Sequence, residues 1–376
     1  MRTDTTHHRS TSNLPGRRRI SALDGARGLA VIGMVIVNTG PRGGDSVLET
    51  IYRLPYGRAS LLFVLLGGIG LSLLTREARQ MRERVPLRAL VWRSGLLLAL
   101  GLVLQTLGHG VSVILATYAV LILLTIPLVR ASERTLWGVV GLSAAVGPLI
   151  WIAVQSSTEG GFDRYPISTG DSLPGVLGGV LVTGAYPVVV WIAPFVFGMW
   201  LGRQNLAAPT VSTRLIVWGA AAAIGGRLRS LLLVWVLGEP TDHLIWQRTI
   251  SSVAHSQMPL WLISGVGSAV LVLGVCLKIG TWTRVWLRPF SALGRLALTA
   301  YVAHLVVLAL VVRPGPDSLL SGVMAASALI VALMALATLW LSRFSQGPFE
   351  WALRPPRFRP RSAGQVDEHQ VSTELR

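Results

Sequence analysis

Hydrophobic positions in this chain fall in long unbroken runs, not in the alternation of half-buried strands or the narrow stripes of soluble amphipathic helices. Reading runs of roughly 20 residues as spanning helices gives ten elements: Leu23 to Gly40, Ala59 to Leu74, Ala89 to Gly108, Val111 to Val129, Thr135 to Gln155, Ala185 to Gly202, Leu215 to Leu237, Leu260 to Ile279, Leu293 to Val312 and Ser321 to Leu341. The first, second and sixth are short, and the apolar stretch Val176 to Thr183 reads as a lead-in or half-helix for the sixth. The pattern predicts an all-α polytopic integral membrane protein, one bundle of about ten transmembrane helices over residues 21–354. Polar, disordered ends are expected at 1–20 and 355–376. No internal repeat is evident.

Composition narrows this further. Of 376 residues, 52% are hydrophobic and 14% charged, against about 25% charged in soluble domains. Too few polar residues remain to cover soluble domains of this length. The single Cys276 lies inside an apolar run, which excludes a disulfide framework and a cysteine-rich metal site.

The net charge of +17 would suggest nucleic acid in a soluble protein. Here the arginines cluster in short segments between apolar runs, so the excess reports orientation and no nucleic-acid partner is expected. With both termini in the cytoplasm, the inner segments hold 23 basic residues and the outer loops 6, with 8 acidic residues in those outer loops. The count places Lys278, the sole lysine, with the inner loop that follows its run. The split predicts an even number of spans in the cytoplasmic membrane. Arg17, Arg18 and Arg19 superficially resemble a twin-arginine export signal, but no small-residue cleavage site follows, so an uncleaved first helix is expected.

Ionisable groups inside apolar runs cost roughly 2.5 to 3.5 kcal/mol each on insertion scales and need a reason. They are Asp24, Arg27, Arg93, Arg227, Arg229, Arg295 and His304. Asp24 and Arg27, three apart, can pair on one helical face. Arg27, Arg93, Arg203 and Arg295 all fall near the inner ends of different runs. Converging, they would suit a phosphate-bearing ligand, because guanidinium presents a fixed fork to phosphate oxygens; dispersed, they are four separate lipid-headgroup contacts. Apart from Asp24, no carboxylate lies within a run, which disfavours proton- or cation-coupled transport.

Several segments resemble a known group. The opening Arg19-Ile-Ser-Ala-Leu-Asp24-Gly-Ala-Arg27 through Asn38 is similar to the first helix of the transmembrane acyltransferase superfamily, within it the heparan-alpha-glucosaminide N-acetyltransferase catalytic family and the YeiB-like membrane proteins. Gly57-Arg58 through Gly70 is similar to their second helix, and Tyr186-Pro187 through Gly202-Arg203 to their mid-chain helix. Leu293-Gly294-Arg295 through Thr299, Tyr301 and His304, with Gly347-Pro-Phe-Glu350-Trp351, resembles the C-terminal part of the YeiB-like group. The resemblance implies acyl transfer, typically of acetyl from cytosolic acetyl-CoA as co-substrate with no bound cofactor, to an acceptor in or across the membrane. Arg27, Arg93, Arg203 and Arg295 would then hold the donor. Asp24, Asn38, Arg58, Arg227, Arg229, Thr299 and Tyr301 would line the substrate pocket. The heparan-type enzymes use a histidine in their first outward loop, whereas the corresponding Pro41 to Tyr56 contains none.

The remaining candidates for catalysis follow from position. His304 lies about 12 residues into its run, near mid-bilayer, where a functional role is the default. Asp45 and Glu49, four apart in the first outer loop, could form an acid–base pair or simply be solvated. His109 reads as an exposed interfacial residue in a short turn. Asp242, His243 and His255 lack any metal-ligand spacing, and no metal is expected. Gly67-Gly68-Ile-Gly70 and Gly198 through Gly202 read as close helix packing, not phosphate loops. Trp137, Trp151, Trp246 and Trp261 read as an interfacial belt. Two other classes stay open: a permease for an anionic or amphipathic molecule, and a membrane enzyme modifying a lipid or isoprenoid. Membrane lipids and a small-molecule donor and acceptor are the expected partners.

Overall fold

The computed structural model describes residues 21–41, 46–81, 83–157, 170–239, 245–280 and 288–355. The expected disordered ends fall outside these residues except for Pro355, as do Asp45, Asp242 and His243. All regular structure in the described residues is helical. In chain order it comprises α1 (Ser21–Thr39), α2 (Val47–Tyr52), α3 (Arg58–Leu74), α4 (Arg76–Gln80), α5 (Leu87–Gln105), α6 (Leu115–Leu124), α7 (Glu133–Gln155), α8 (Leu173–Gly178), α9 (Val188–Leu201), α10 (Pro209–Leu237), α11 (Pro259–Ile279), α12 (Arg288–Arg295), α13 (Ala297–Val307), α14 (Leu319–Arg343) and α15 (Pro348–Ala352).

All ten apolar runs contain a helix, but their lengths differ from expectation. Among the described residues six helices, α1, α5, α7, α10, α11 and α14, are long and apolar enough to cross a membrane, and the number rises to eight if each of two bent pairs is one span. The count of about ten is not reached, because the second and fourth runs form the shorter α3 (17 residues) and α6 (10 residues). A ten-residue helix rises only about 15 Å, half the hydrocarbon thickness. In the fourth run the stop is local: Pro127 supplies no amide to an α-turn, and the chain passes into a 3-10 turn at Pro127–Arg130.

α1 sits at the centre, packed against α3, α11, α12, α13 and α14. Its most apolar window is 67% buried, against 11% for α10, which lies on the perimeter beside α11. α3 and α9 cross where Gly68 and Gly198 meet: a Cβ on Gly68 would strike the Phe195 carbonyl, and one on Gly198 the Leu65 carbonyl. Small residues at this crossing let the two backbones touch.

Both bends shape the interior. The lead-in Leu173–Thr183 joins α9 at 56°, and Arg288–Arg295 joins Ala297–Val312 at 83°. The second break falls at Leu296, so the expected straight span from Leu293 is really two arms. The first arm, α12, packs against α1, with Gly294 facing Asp24 and Gly28.

Candidate functional site

A cavity of about 910 Å³ lies between α1, α3, α5, α6, α9 and the broken α12–α13 span, with α15 at its rim. Among the described residues five with guanidinium groups line it: Arg27, Arg76, Arg93, Arg295 and Arg354. Two carboxylates accompany them, one paired with Arg27 and the other held by the start of α13. Asp24, buried on the first turn of α1, accepts from Arg27 Nη1 at 3.0 Å. Glu350 accepts the Leu298 and Thr299 amides at 2.7 and 3.0 Å and the Thr299 hydroxyl at 2.5 Å. Those amides are the orphan donors that the start of α13 leaves after the break.

The arginines keep donors to spare. Arg93 Nε reaches the Leu353 carbonyl at 3.3 Å and Arg295 Nη2 the Ser345 carbonyl at 3.0 Å. Arg295 Nε has no hydrogen-bond partner among the described residues. Neutral carbonyls leave the cationic charge uncompensated, so this end of the bundle holds a net positive hollow suited to an anion.

His304 stands outside the cavity lining. Along α13 it lies six to seven residues beyond Ala297 and Leu298, about 10 Å deeper. An aromatic layer separates the two: Phe63 lines the cavity and stacks on Tyr301 at 6.2 Å, and Tyr301 packs edge-on to His304 at 5.0 Å. Tyr301 accepts the Ile114 amide through its hydroxyl at 3.4 Å. His304 is fully buried, with Nε2 3.4 Å from the Asn38 amide nitrogen and Nδ1 without a hydrogen-bond partner among the described residues. Asn38 lies one residue from the end of α1, so His304 faces the end opposite the arginines, where Arg313 bridges the Asn38 carbonyl (3.1 Å) and the His109 carbonyl (2.6 Å).

Residues 200–356, which carry Arg295, Thr299, Tyr301, His304 and Glu350, match the model of a family described as "Protein of unknown function (DUF418)". It is a family of YeiB-like membrane proteins. No curated protein matches the chain. The match therefore agrees with the YeiB-like side of the resemblance and does not extend to the acetyltransferase side.

The other expected site residues are dispersed. Arg203 points away from the cavity: its guanidinium caps the turn after α6, donating to the carbonyls of Ala131 at 2.7 Å, Leu128 at 3.1 Å and Val129 at 3.3 Å. Arg58, at the start of α3, donates to the Leu54 carbonyl, and Arg227 to the Ser252 hydroxyl at 2.9 Å. Arg229 is exposed on the perimeter helix α10. Glu49 forms a capping box with Ser46 on α2, and the Ser46 hydroxyl and amide hold its carboxyl below the usual carboxylate range.

Six further placements were not expected. His109 is buried, not interfacial. Trp261 and Trp151 are buried rather than belted; Trp261 joins Trp191, Tyr56 and Tyr186 around the ring of His255. Arg76, Arg354 and Glu350 join the cavity from segments that read as inner loops. The one usable signal for Glu350 was an acidic residue in the otherwise apolar Gly347-Pro-Phe-Glu350-Trp351.

Proposed function

We propose that this protein is a membrane-embedded acyltransferase that takes an acyl group from an acyl-CoA, acetyl-CoA being the expected form, and delivers it to a sugar, lipid or secondary-metabolite acceptor in or across the cytoplasmic membrane. The observation that carries the reading is the cavity with five arginines and two carboxylates. The basic residues that favour the inner side border the same end, so the donor's phosphates enter from the cytoplasm. Arg27, Arg93 and Arg295 hold them in bidentate fashion.

Transfer takes place beyond the aromatic layer. The acceptor's oxygen or nitrogen bonds to the acyl carbon while the carbon–sulfur bond breaks. The acceptor's proton passes to His304 and from there to the departing thiolate. Asn38 orients the imidazole, and the Phe63–Tyr301 layer must part to admit the acyl carbon. The resemblance supports the reaction class; the absence of a first-loop histidine favours direct transfer over an acyl-histidine intermediate.

The test is the full-length protein in lipid nanodiscs with labelled acetyl-CoA. Saturable binding and slow hydrolysis or exchange, both lost in Arg27→Ala and Arg295→Ala, are expected. Absence of binding overturns the proposal. A second reading, a permease for an anionic amphipath, draws on the 83° break beside Arg295, since discontinuous helices build many transporter sites. Uptake into vesicles without covalent change would favour it.

A further inference from the structure

The charged residues that line the arginine cavity all stand at one end of it, and the opposite end is apolar. Its charged residues stand at the ends of helices: Arg27 on the second turn of α1, Arg76 just past α3, Arg93 on the second turn of α5 and Arg295 at the break before α13. From that rim α3 contributes a continuous inward stripe, Leu74, Gly70, Gly67 and Phe63, which descends about 16 Å at 1.5 Å per residue. Beyond Arg93 the next lining residue of α5 is Leu97, a turn deeper. The floor comprises Phe63, Leu97, Leu115, Tyr118 and Phe195. None brings a charge, and the Tyr118 hydroxyl is already given to the Phe63 carbonyl.

The hollow is widened on one wall by a missing side chain. A Cβ on Gly70 would meet only the tip of Arg27, at 3.4 Å. The α3–α9 crossing uses Gly68, so Gly70 is not needed for that contact. Space lined by apolar atoms behind a cationic rim complements one kind of guest. An acetyl group contributes a single methyl to such a floor. A longer hydrocarbon chain gains with each further methylene it buries there.

We infer that the guest of this cavity carries, behind its phosphates, an apolar chain several carbons longer than acetyl. This rests on the cavity being the donor site, and there it makes the donor a medium- or long-chain acyl-CoA. The shared chemistry, a phosphate head with a hydrocarbon tail, also belongs to a lipid phosphate, and the test separates the two sources.

The test uses the full-length protein in nanodiscs, with binding of CoA, acetyl-CoA, hexanoyl-CoA and decanoyl-CoA corrected for partition into empty discs. Hexyl and decyl phosphate form a second arm. Each buried methylene contributes about a fourfold gain in affinity, so the dissociation constant should fall more than tenfold from acetyl- to hexanoyl-CoA. Leu97→Trp, which fills the floor, should flatten that series. A series flat in the wild type, with CoA itself bound, overturns the inference and leaves the donor reading standing. Alkyl phosphates binding more tightly with length while every CoA species fails to bind support the chain-and-phosphate guest and overturn the donor reading. Failure of both arms overturns both.

Discussion

Glu350 and Thr299, 51 positions apart, are joined twice: one carboxylate oxygen takes the Thr299 hydroxyl at 2.5 Å, and the other takes the Thr299 amide at 3.0 Å together with the Leu298 amide at 2.7 Å. A helix that starts inside apolar surroundings leaves amides with no water to satisfy them. Glu350 supplies what the preceding turn of a continuous helix would have supplied. The 83° break at Leu296 and the docking of α15 are thus one feature, and the cavity rim depends on both.

Glu350→Ala should therefore lower stability by about 2 to 3 kcal/mol, the cost of orphaned buried donors together with a lost cap. Glu350→Gln, which keeps one acceptor oxygen, should cost less. Thermal unfolding of the full chain in detergent measures both. A Glu350→Ala midpoint equal to that of the wild type would show that α13 starts without this carboxylate.

The arginines divide into two groups by partner. Arg27→Ala, Arg93→Ala and Arg295→Ala should each weaken CoA binding by about 10- to 100-fold, the range for charged hydrogen bonds of about 1.5 to 3 kcal/mol, and the loss should shrink as salt rises. Arg203→Ala should leave CoA affinity within about twofold and lower the unfolding midpoint instead, because the Leu128, Val129 and Ala131 carbonyls lose their donor. Isothermal titration beside thermal unfolding separates the two. Equal losses of CoA affinity in all four variants would contradict the division.

The contrast shows what a one-dimensional reading could reach. Arg27, Arg93 and Arg295 stood out because each interrupts an apolar run, and a charge there needs a reason. Arg203 sat at the same kind of position, yet nothing in its spacing revealed that the 3-10 turn after α6 presents three carbonyls to it. Arg76 and Arg354 were indistinguishable from orientation charges, since cavity walls form only when segments distant in sequence meet. The bend at Leu296 was hidden for a similar reason: it goes with tertiary capping by Glu350, and no proline or glycine at that position announces it.

His109 yields a pH dependence with a definite sign. The Val111 amide donates to Nδ1 at 3.1 Å, so the proton sits on Nε2, which donates to the Leu104 carbonyl at 2.8 Å. Burial lowers the pKa below 6.5, the nearby Arg313 guanidinium lowers it further, and the Leu104 carbonyl partly opposes them. The unfolded chain therefore takes up a proton near pH 6.5 that the folded chain refuses, so stability is full above that pH and falls as the pH drops below it, by at most about 1.4 kcal/mol per unit. His109→Gln can accept from Val111 and donate to Leu104 without titrating, and should flatten the loss between pH 7 and 5. Unfolding midpoints across that range decide it, and an unchanged slope in the variant would remove His109 from the account.

His304 and Asn38 allow proton transfer to be told apart from packing. His304 does not line the cavity, so its loss should act on turnover and leave donor binding alone. His304→Gln should reduce kcat by about 10² to 10⁴, the usual range for a general base, with KM for the acyl-CoA changed less than about twofold. Asn38→Leu keeps the volume but removes the amide 3.4 Å from Nε2, and should reduce kcat by about tenfold through misorientation of the ring. Should His304→Gln raise KM as steeply as it lowers kcat, the ring would be holding the bundle together and not moving a proton. In that case a buried histidine beside Tyr301 would be a packing residue, and the acceptor's base would have to come from another part of the molecule.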